Sequence, residues 1–415
     1  MKIAFVIEYF RPMGAGGSGW STYYLAKDLA ANNQEVVVLT PNYGAKKTEF
    51  DDGIRILRFP FYLKLKNFNQ LPGNFALTNP FWILWTVINL FLLIRKENPD
   101  VIHVQGKYSV PPAVIANLFF KKPLVATIRD YQLICNYGFC LYRGNKACNI
   151  FEYFSHDLTY YLKNYLKFPN PLIIFLNVLY ALWGRIARNL MKIFGMNVNI
   201  VVLSQKQKEI FLANGFKKVT VIGNSFSFAK VLPKIKKQNA LLFAGRLTLG
   251  KGVGLLIKTL PKLMKSFPNY KFYFVGDGPL INDLTRLKRA NKNIYIQILG
   301  QINHGSLLKL MSKVKLVLVP SLWPEPFGRV ALEAISQGTP VVASNKGGLP
   351  EIIKDGRYGL IINPTKENLI KGVKRGLKEN KKLQNNIYND FAIIKRKFQK
   401  DISKAYIKLY KNLIK

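Results

Sequence analysis

The chain has 415 residues, 49% hydrophobic and 20% charged, enough apolar material for more than one packed core, which excludes a disordered chain and points to two or three domains. Against 62 Lys and Arg stand 22 Asp and Glu, a formal net charge of +40 that raises a polyanionic partner, nucleic acid or an anionic lipid surface, without choosing one. Cys135, Cys140 and Cys148 are too few and too close together for a disulfide-framed secreted scaffold, so a reducing, cytoplasmic setting is expected.

The opening MKIAFVIEYF reads as a first β-strand, because Glu8 interrupts the apolar run before a signal-peptide core is complete. Gly14, Gly16, Gly17 and Gly19 follow it and precede a helix that Ser18 is expected to begin, where backbone N–H groups face an anion or simply a flexible turn. Val/Ile-rich runs then alternate with helix-length patterns: EVVVLT, DVIHVQ, PLVATI, NIVVLS and VTVIGN, the rhythm of βα units on a parallel sheet. Two apolar stretches stand out, residues 80–94 and 171–183. The longer would rise only about 22 Å as a helix, against a hydrocarbon core of roughly 30 Å, so neither spans a bilayer comfortably. Just beyond, Trp183, Ile186, Leu190 and Phe194 recur at helical spacing beside Arg185, Arg188 and Lys192, a pattern suited to an interface or to a core-facing helix with a basic edge.

After the basic stretch 226–238 the rhythm restarts with ALLFAG, KFYFVG, IYIQILG, VKLVLVP and PVVAS, which marks a domain boundary. Phe391, Ile394, Phe398, Ile402, Ala405, Leu409 and Leu413 then describe one apolar helical stripe. The expected architecture is therefore α/β: two Rossmann-like doubly wound domains, 1–226 and 239–380, joined by a linker at 227–238, with a helical tail at 381–415. Such domain pairs bind ligand in the cleft between them, near strand C-termini.

Candidate chemistry gathers in the second half. Residues 245–252, GRLTLGKG, nearly spell a phosphate-binding P-loop, but Gly252 stands where a magnesium-binding Ser or Thr belongs, which rejects a nucleoside triphosphatase. Arg246 and Lys251 remain, a guanidinium fork and an ammonium able to neutralise a diphosphate, or else ordinary solvated cations. In residues 320–338, PSLWPEPFGRVALEAISQG, two prolines flank Glu325, Phe327 and Gly328 open a helix with unsatisfied N-terminal amides, and Glu333 lies inside it. Two carboxylates so placed suit sugar hydroxyls; a capping acid and a solvated helix face are the plain alternative. Glycine turns recur at 276–279 and 345–351, and no Asp-x-Asp pair for a metal-held diphosphate occurs.

These motifs resemble family 4 of the retaining glycosyltransferases, which have the GT-B fold of two facing Rossmann-like domains. The resemblance is most specific over residues 240–364 and extends to Gly16 and Gly17 and the strand DVIHVQG. It implies that Arg246 and Lys251 hold the diphosphate of a UDP-, GDP- or ADP-sugar, Glu333 the ribose, and Glu325 with the Phe327 and Gly328 amides the donor sugar, around Gly16, Gly17 and Gly245. It implies too that the first domain takes the acceptor and the last helices cross back to it. Family members commonly carry a His-Asp or His-Gly dipeptide where this chain has Arg129 and Asp130. Arg129 binds an anionic donor or acceptor group, Asp130 takes over part of the role, or the two form a structural ion pair. His103 reads as a buried, satisfied histidine. Cys135, Cys140 and Cys148 with His156 match no compact zinc knuckle, so buried thiols are the reading before zinc or a disulfide.

The expected protein is a retaining hexosyltransferase needing neither metal nor cofactor, working on a lipid-linked or glycan acceptor, peripheral on the cytoplasmic face of an anionic membrane and not bound to nucleic acid. A polysaccharide synthase or phosphorylase of the same fold is the rival within enzymology. A non-catalytic basic protein binding nucleic acid or lipid is the rival outside it.

Overall fold

The computed structural model describes residues 1–13, 17–65, 74–135, 146–159, 162, 170–224, 226, 228, 235–291, 295–399 and 402–415. Two compact units emerge, residues 1–225 with 400–415, and 226–399.

In the first unit the strands are β1 (Lys2–Val6), β2 (Glu35–Asn42), β3 (Thr48–Asp51), β4 (Ile54–Pro60), β5 (Val101–Val104), β6 (Leu124–Thr127), β7 (Asn199–Val202) and β8 (Val219–Val221). They form one sheet in the order β3-β4-β2-β1-β5-β6-β7-β8, parallel except where β3 meets β4. Central strands such as β1 and β5 are apolar and buried along almost their whole length, as a parallel sheet covered on both faces requires. Strand order reverses between β1 and β5, so the loops after β1, β5 and β6 meet at a topological switch point. Strands β3 and β4 were not legible in the sequence, since charged residues interrupt the apolar runs of both.

The helices of this unit include α1 (Gly17–Ala31), α2 (Pro80–Glu97), α3 (Val110–Asn117), α4 (Pro171–Met196) and α5 (Gln205–Ala213). Asn79 caps α2 by accepting from the Trp82 N–H, and Pro80 supplies the fixed φ of a first turn. Both α2 and α4 pack on α3. No helix among the described residues is long and apolar enough to cross a membrane.

The second unit holds β9 (Gln238–Ala244), α6 (Val253–Ser266), β10 (Lys271–Val275), α7 (Ile281–Ala290), β11 (Ile296–Ile298), α8 (His304–Lys313), β12 (Val314–Val319), α9 (Arg329–Ser336), β13 (Val341–Ser344), α10 (Leu349–Ile353), β14 (Gly359–Ile362) and α11 (Lys366–Lys378). Its sheet is wholly parallel in the order β11-β10-β9-β12-β13-β14, with the switch point between β9 and β12. The core lies between α6, α11 and the sheet, where Leu241, Leu256, Leu260, Leu316, Leu369 and Val373 are buried.

The tail departs from the single expected stripe. It forms α12 (Asn380–Asn389), α13 (Phe391–Phe398) and α14 (Ile402–Ile414); the first two stay in the second unit and α14 joins the first. In α14 the buried positions are Ile402, Ser403, Tyr406 and Tyr410, while Ala405 is exposed and Leu409 and Leu413 are only half-buried. Tyrosines go inward because the rings bury apolar area while each hydroxyl finds a buried hydrogen-bond partner, Thr127 for Tyr406 and His103 for Tyr410.

Candidate active site

The second unit builds its site from the loops after β9 and β12, which the switch point brings side by side. Two backbone bonds knit them: the Leu322 and Trp323 N–H groups donate to the Gly250 carbonyl at 2.8 and 3.2 Å. Gly252, at φ +80°, closes the first loop; a Cβ there would stand 2.0 Å from the Pro320 carbonyl oxygen, so only glycine permits this approach. Gly347, at φ +63°, does the same for the loop after β13, whose backbone pairs with Glu325 through the Gly348 N–H.

Glu325 is 6% exposed. Its carboxylate accepts from Lys251 Nζ at 2.7 and 2.9 Å, from Ser321 Oγ at 2.6 Å and from Trp323 Nε1 at 2.9 Å. Burial pushes the carboxyl up, but the Lys251 charge and these hydrogen bonds outweigh it and hold the group below the usual carboxylate range. Lys251 also lies 4.7 Å from the centre of the Trp323 ring, a cation–π contact. Neither residue is a solvated bystander, and the sequence, which separates them by 74 positions, had not paired them.

Gly328 caps α9 in a left-handed conformation, leaving the first amides of the helix without a side-chain cap. Phe327 beside it is buried and meets Phe398 edge to face. Glu333, 4% exposed, accepts from Arg329 Nε and His304 Nε2, both at 3.0 Å. Arg329 was legible as a cation four residues before Glu333 on one helix face; His304 was not, since α8 brings it from 29 positions away. Arg246 stands exposed beyond Gly245 at the end of β9, and its side chain has no partner among the described residues.

In the first unit the switch-point loops line a concave pocket that includes Glu8, Tyr9, Ser18, Gln105, Lys107, Arg129 and Asp130. Of the three alternatives for Arg129 and Asp130, the ion pair between them is not formed. Asp130 takes Lys107 and accepts the Gln132 N–H, whereas Arg129 donates to Gln105, to its carbonyl at 3.2 Å and its Oε1 at 2.8 Å. Strand β6 ends at Thr127, so consecutive side chains beyond it diverge rather than pair. Gly17 is the first residue of α1; Gly16 lies outside the described residues. His103 is fully buried and hydrogen-bonded to Tyr410 and Thr127, and burial, with the Arg129 charge, holds it well below its ordinary value.

The basic stripe on α4 also needs correction. Arg188 is buried, its NH1 on the Ile134 carbonyl, and burial pushes it down to about 10; Arg185 donates to the Cys148 carbonyl and lies over the Tyr153 ring. The charged edge faces the protein because backbone carbonyls and an aromatic face accept it there. Cys135 is buried and Cys148 half-buried; Cys140 lies outside the described residues, among which no group of three His, Cys, Asp or Glu gathers.

Two doubly wound sheets, each with polar side chains gathered at its switch point, place the molecule in the GT-B class. Residues 225–391 match the family model described as Glycosyl transferases group 1, and residues 15–228 the one described as Glycosyltransferase Family 4. The chain belongs to glycosyltransferase family 4 and is a glycosyltransferase. It is 26% identical over 389 residues to the glycogen synthase of Mycobacterium tuberculosis, covering 88% of this chain and 83% of that one. An uncharacterized glycosyltransferase of Methanocaldococcus jannaschii is 28% identical over 397 residues, 91% and 90% of the two chains. Among solved structures, sucrose-phosphate synthase from Thermosynechococcus elongatus superposes with a TM-score of 0.71 at 19% identity, covering 99% of this chain and 98% of that one. The Anabaena HepE complex with UDP and glucose gives 0.67 at 20% identity, covering 99% and 100%.

Proposed function

We propose that this glycosyltransferase moves a hexosyl unit from a nucleoside diphosphate sugar, with retention and without a metal, to a lipid-linked or glycan acceptor at an anionic membrane surface. The observation that carries the donor reading is the pair of buried carboxylates, Glu325 and Glu333, each held by its own cation beside loops that knit at the switch point. Solved relatives of the same fold hold UDP with glucose and ADP with acarbose. In the reaction the bond from sugar C1 to the diphosphate oxygen breaks and one to the acceptor oxygen forms, while the leaving phosphate oxygen takes the acceptor hydroxyl's proton. Arg246, exposed and without a partner among the described residues, and Lys251 meet the charge that develops on the diphosphate, and the uncapped amides of α9 add partial positive charge. Glu325, kept ionised by Lys251, accepts from sugar hydroxyls, and Glu333 from the ribose. Arg246 and Lys251 themselves supply the positive charge for which other transferases use a divalent cation.

The membrane reading rests on apolar faces turned outward. On α4, Leu172, Phe175, Leu176, Leu179, Leu182, Ile186, Leu190 and Ile193 are exposed, a stripe at helical spacing down the whole helix. On α2, Phe81, Leu84, Ile88 and Leu92 are exposed as well, and Phe119 stacks edge-on against Phe91. Exposed Arg95, Lys96 and Lys121 flank this surface where Lys122 joins Asn98. Apolar rows of this length with a cationic rim suit anionic lipid.

Turnover of UDP-, GDP- and ADP-sugars with and without EDTA, together with flotation on vesicles containing phosphatidylglycerol, tests the reading. Arg246→Ala should lower kcat/KM on the order of 10²-fold, and EDTA should leave activity unchanged. Leu179→Glu with Ile186→Glu should abolish flotation while leaving donor hydrolysis intact. Wild-type turnover in Arg246→Ala would refute the diphosphate role, and undiminished flotation of the double variant the membrane face.

A further inference from the structure

The first-unit pocket holds a cation, Arg129, that pairs directly with neither of the pocket's carboxylates among the described residues. Of the five N–H groups of Arg129, two are used, both on Gln105, an uncharged partner; Nε is buried and without an acceptor among the described residues. Asp130, the nearest acid in sequence, is taken by Lys107. Glu8 also lines the pocket, buried, with its Oε1 on the Tyr108 N–H at 2.9 Å. Burial raises the Glu8 carboxyl, against its own and the Tyr108 backbone N–H, and among the described residues it forms no ion pair with Arg129. Tyr9 is pushed up to about 12 by burial and by Glu8, so it stays a neutral hydroxyl.

Arg129 is also held from beneath. Gln105, which accepts from its NH2, in turn contacts His103 at 3.0 Å, and His103 is fixed by Thr127 and by Tyr410 of α14. A guanidinium tethered on one edge to a buried amide, with the second N–H of each terminal nitrogen left for a ligand, is a preorganised receptor for a planar or tetrahedral oxyanion. The large excess of surface lysines does not substitute for it, since those charges are solvated and screened.

We infer that Arg129 is a specificity-determining residue that binds an anionic substituent, a carboxylate or a phosphate, on the acceptor sugar. The inference deepens the proposed acceptor role of the first unit and rests on that reading, with Ser18, Tyr9 and Lys107 lining the remainder of the pocket. A neutral sugar leaves the guanidinium half-satisfied; an oxyanion takes its free N–H groups as charge-assisted hydrogen bonds and cancels its charge. Discrimination of about tenfold or more is the expected scale for one such contact.

The test uses the full chain, with the sugar probes titrated in the absence of nucleotide and UDP binding measured separately, so that its outcome is distinct from that of the donor site. Methyl glucuronide, methyl glucoside 6-phosphate and methyl glucoside are compared as ligands by saturation-transfer NMR and calorimetry. At least one anionic probe should bind tenfold or more tightly than the neutral glucoside, and which of the two does so assigns carboxylate or phosphate. Arg129→Gln should erase the preference while leaving UDP binding and the melting temperature near wild type. Arg129→Lys, which keeps the charge and loses the fork, should retain only part of it, and serves also where the glutamine variant folds poorly. Equal binding of all three probes by the wild type, or a preference that survives Arg129→Gln, overturns the inference. Failure of UDP to bind, with the anion preference intact, would instead fall on the donor reading.

Discussion

Replacing Lys251 by Met keeps the length of the side chain and removes the charge that Glu325 faces. Breaking a fully buried ion pair costs about 3–5 kcal/mol. Here the Lys251 side chain is 24% exposed and Glu325 keeps Ser321 and Trp323 as donors, which reduces the expected cost to about 2 kcal/mol. For a unit the size of residues 226–399, that corresponds to a Tm lower by about 4–8 °C. The sign of the pH dependence is distinctive. In the wild type the Glu325 carboxyl is held below its unfolded value, so its contribution is present above that value and is lost as pH falls through the folded one. Without Lys251, burial dominates and lifts the carboxyl above its unfolded value of about 4.3, so the variant loses stability as pH rises from there toward neutrality. The deficit relative to wild type is therefore largest at pH 7 and shrinks near pH 4. Differential scanning calorimetry at the two pH values measures it; equal deficits at both, or none at pH 7, would refute the reasoning.

Three further outcomes follow from the same geometry. Gly252→Ala should destabilise the second unit by about 3 kcal/mol, from left-handed strain plus the collision with Pro320, whereas Gly356→Ala, at φ +72° with open space around it, should cost only about 1 kcal/mol; chemical denaturation separates the two. His103, held neutral by burial, must take up a proton on unfolding below its unfolded pKa of about 6.5, so the first unit should lose about 1.4 kcal/mol per pH unit below that value. His103→Gln should flatten this slope in urea melts at pH 7 and 5.5, and an unchanged slope would show that another group carries it. Steady-state kinetics should divide the glutamates: Glu333→Gln raising the donor KM about tenfold, Glu325→Gln lowering kcat about 10²-fold. Equal effects confined to KM would contradict that division.

The α/β class was legible because a parallel strand buried on both faces must be written as a short apolar run, and runs such as KIAFV and VKLVLV can be read without knowing their neighbours. The glycine turns and the helix-opening Phe327-Gly328 were legible for the same reason, since each encodes a local backbone requirement. Strand order is not local. Only the placing of β9 beside β12 brings Lys251 onto Glu325, and only the docking of α14 sets Tyr410 against His103, 307 positions away. Helical periodicity separates the two faces of α4 and says nothing about which one meets solvent. The tertiary structure turned Arg188 inward, where a backbone carbonyl accepts it, and left the leucine face outside. It likewise settled Arg129 on Gln105 instead of Asp130, because the side chains beyond a strand end diverge and each takes the partner that neighbouring strands present.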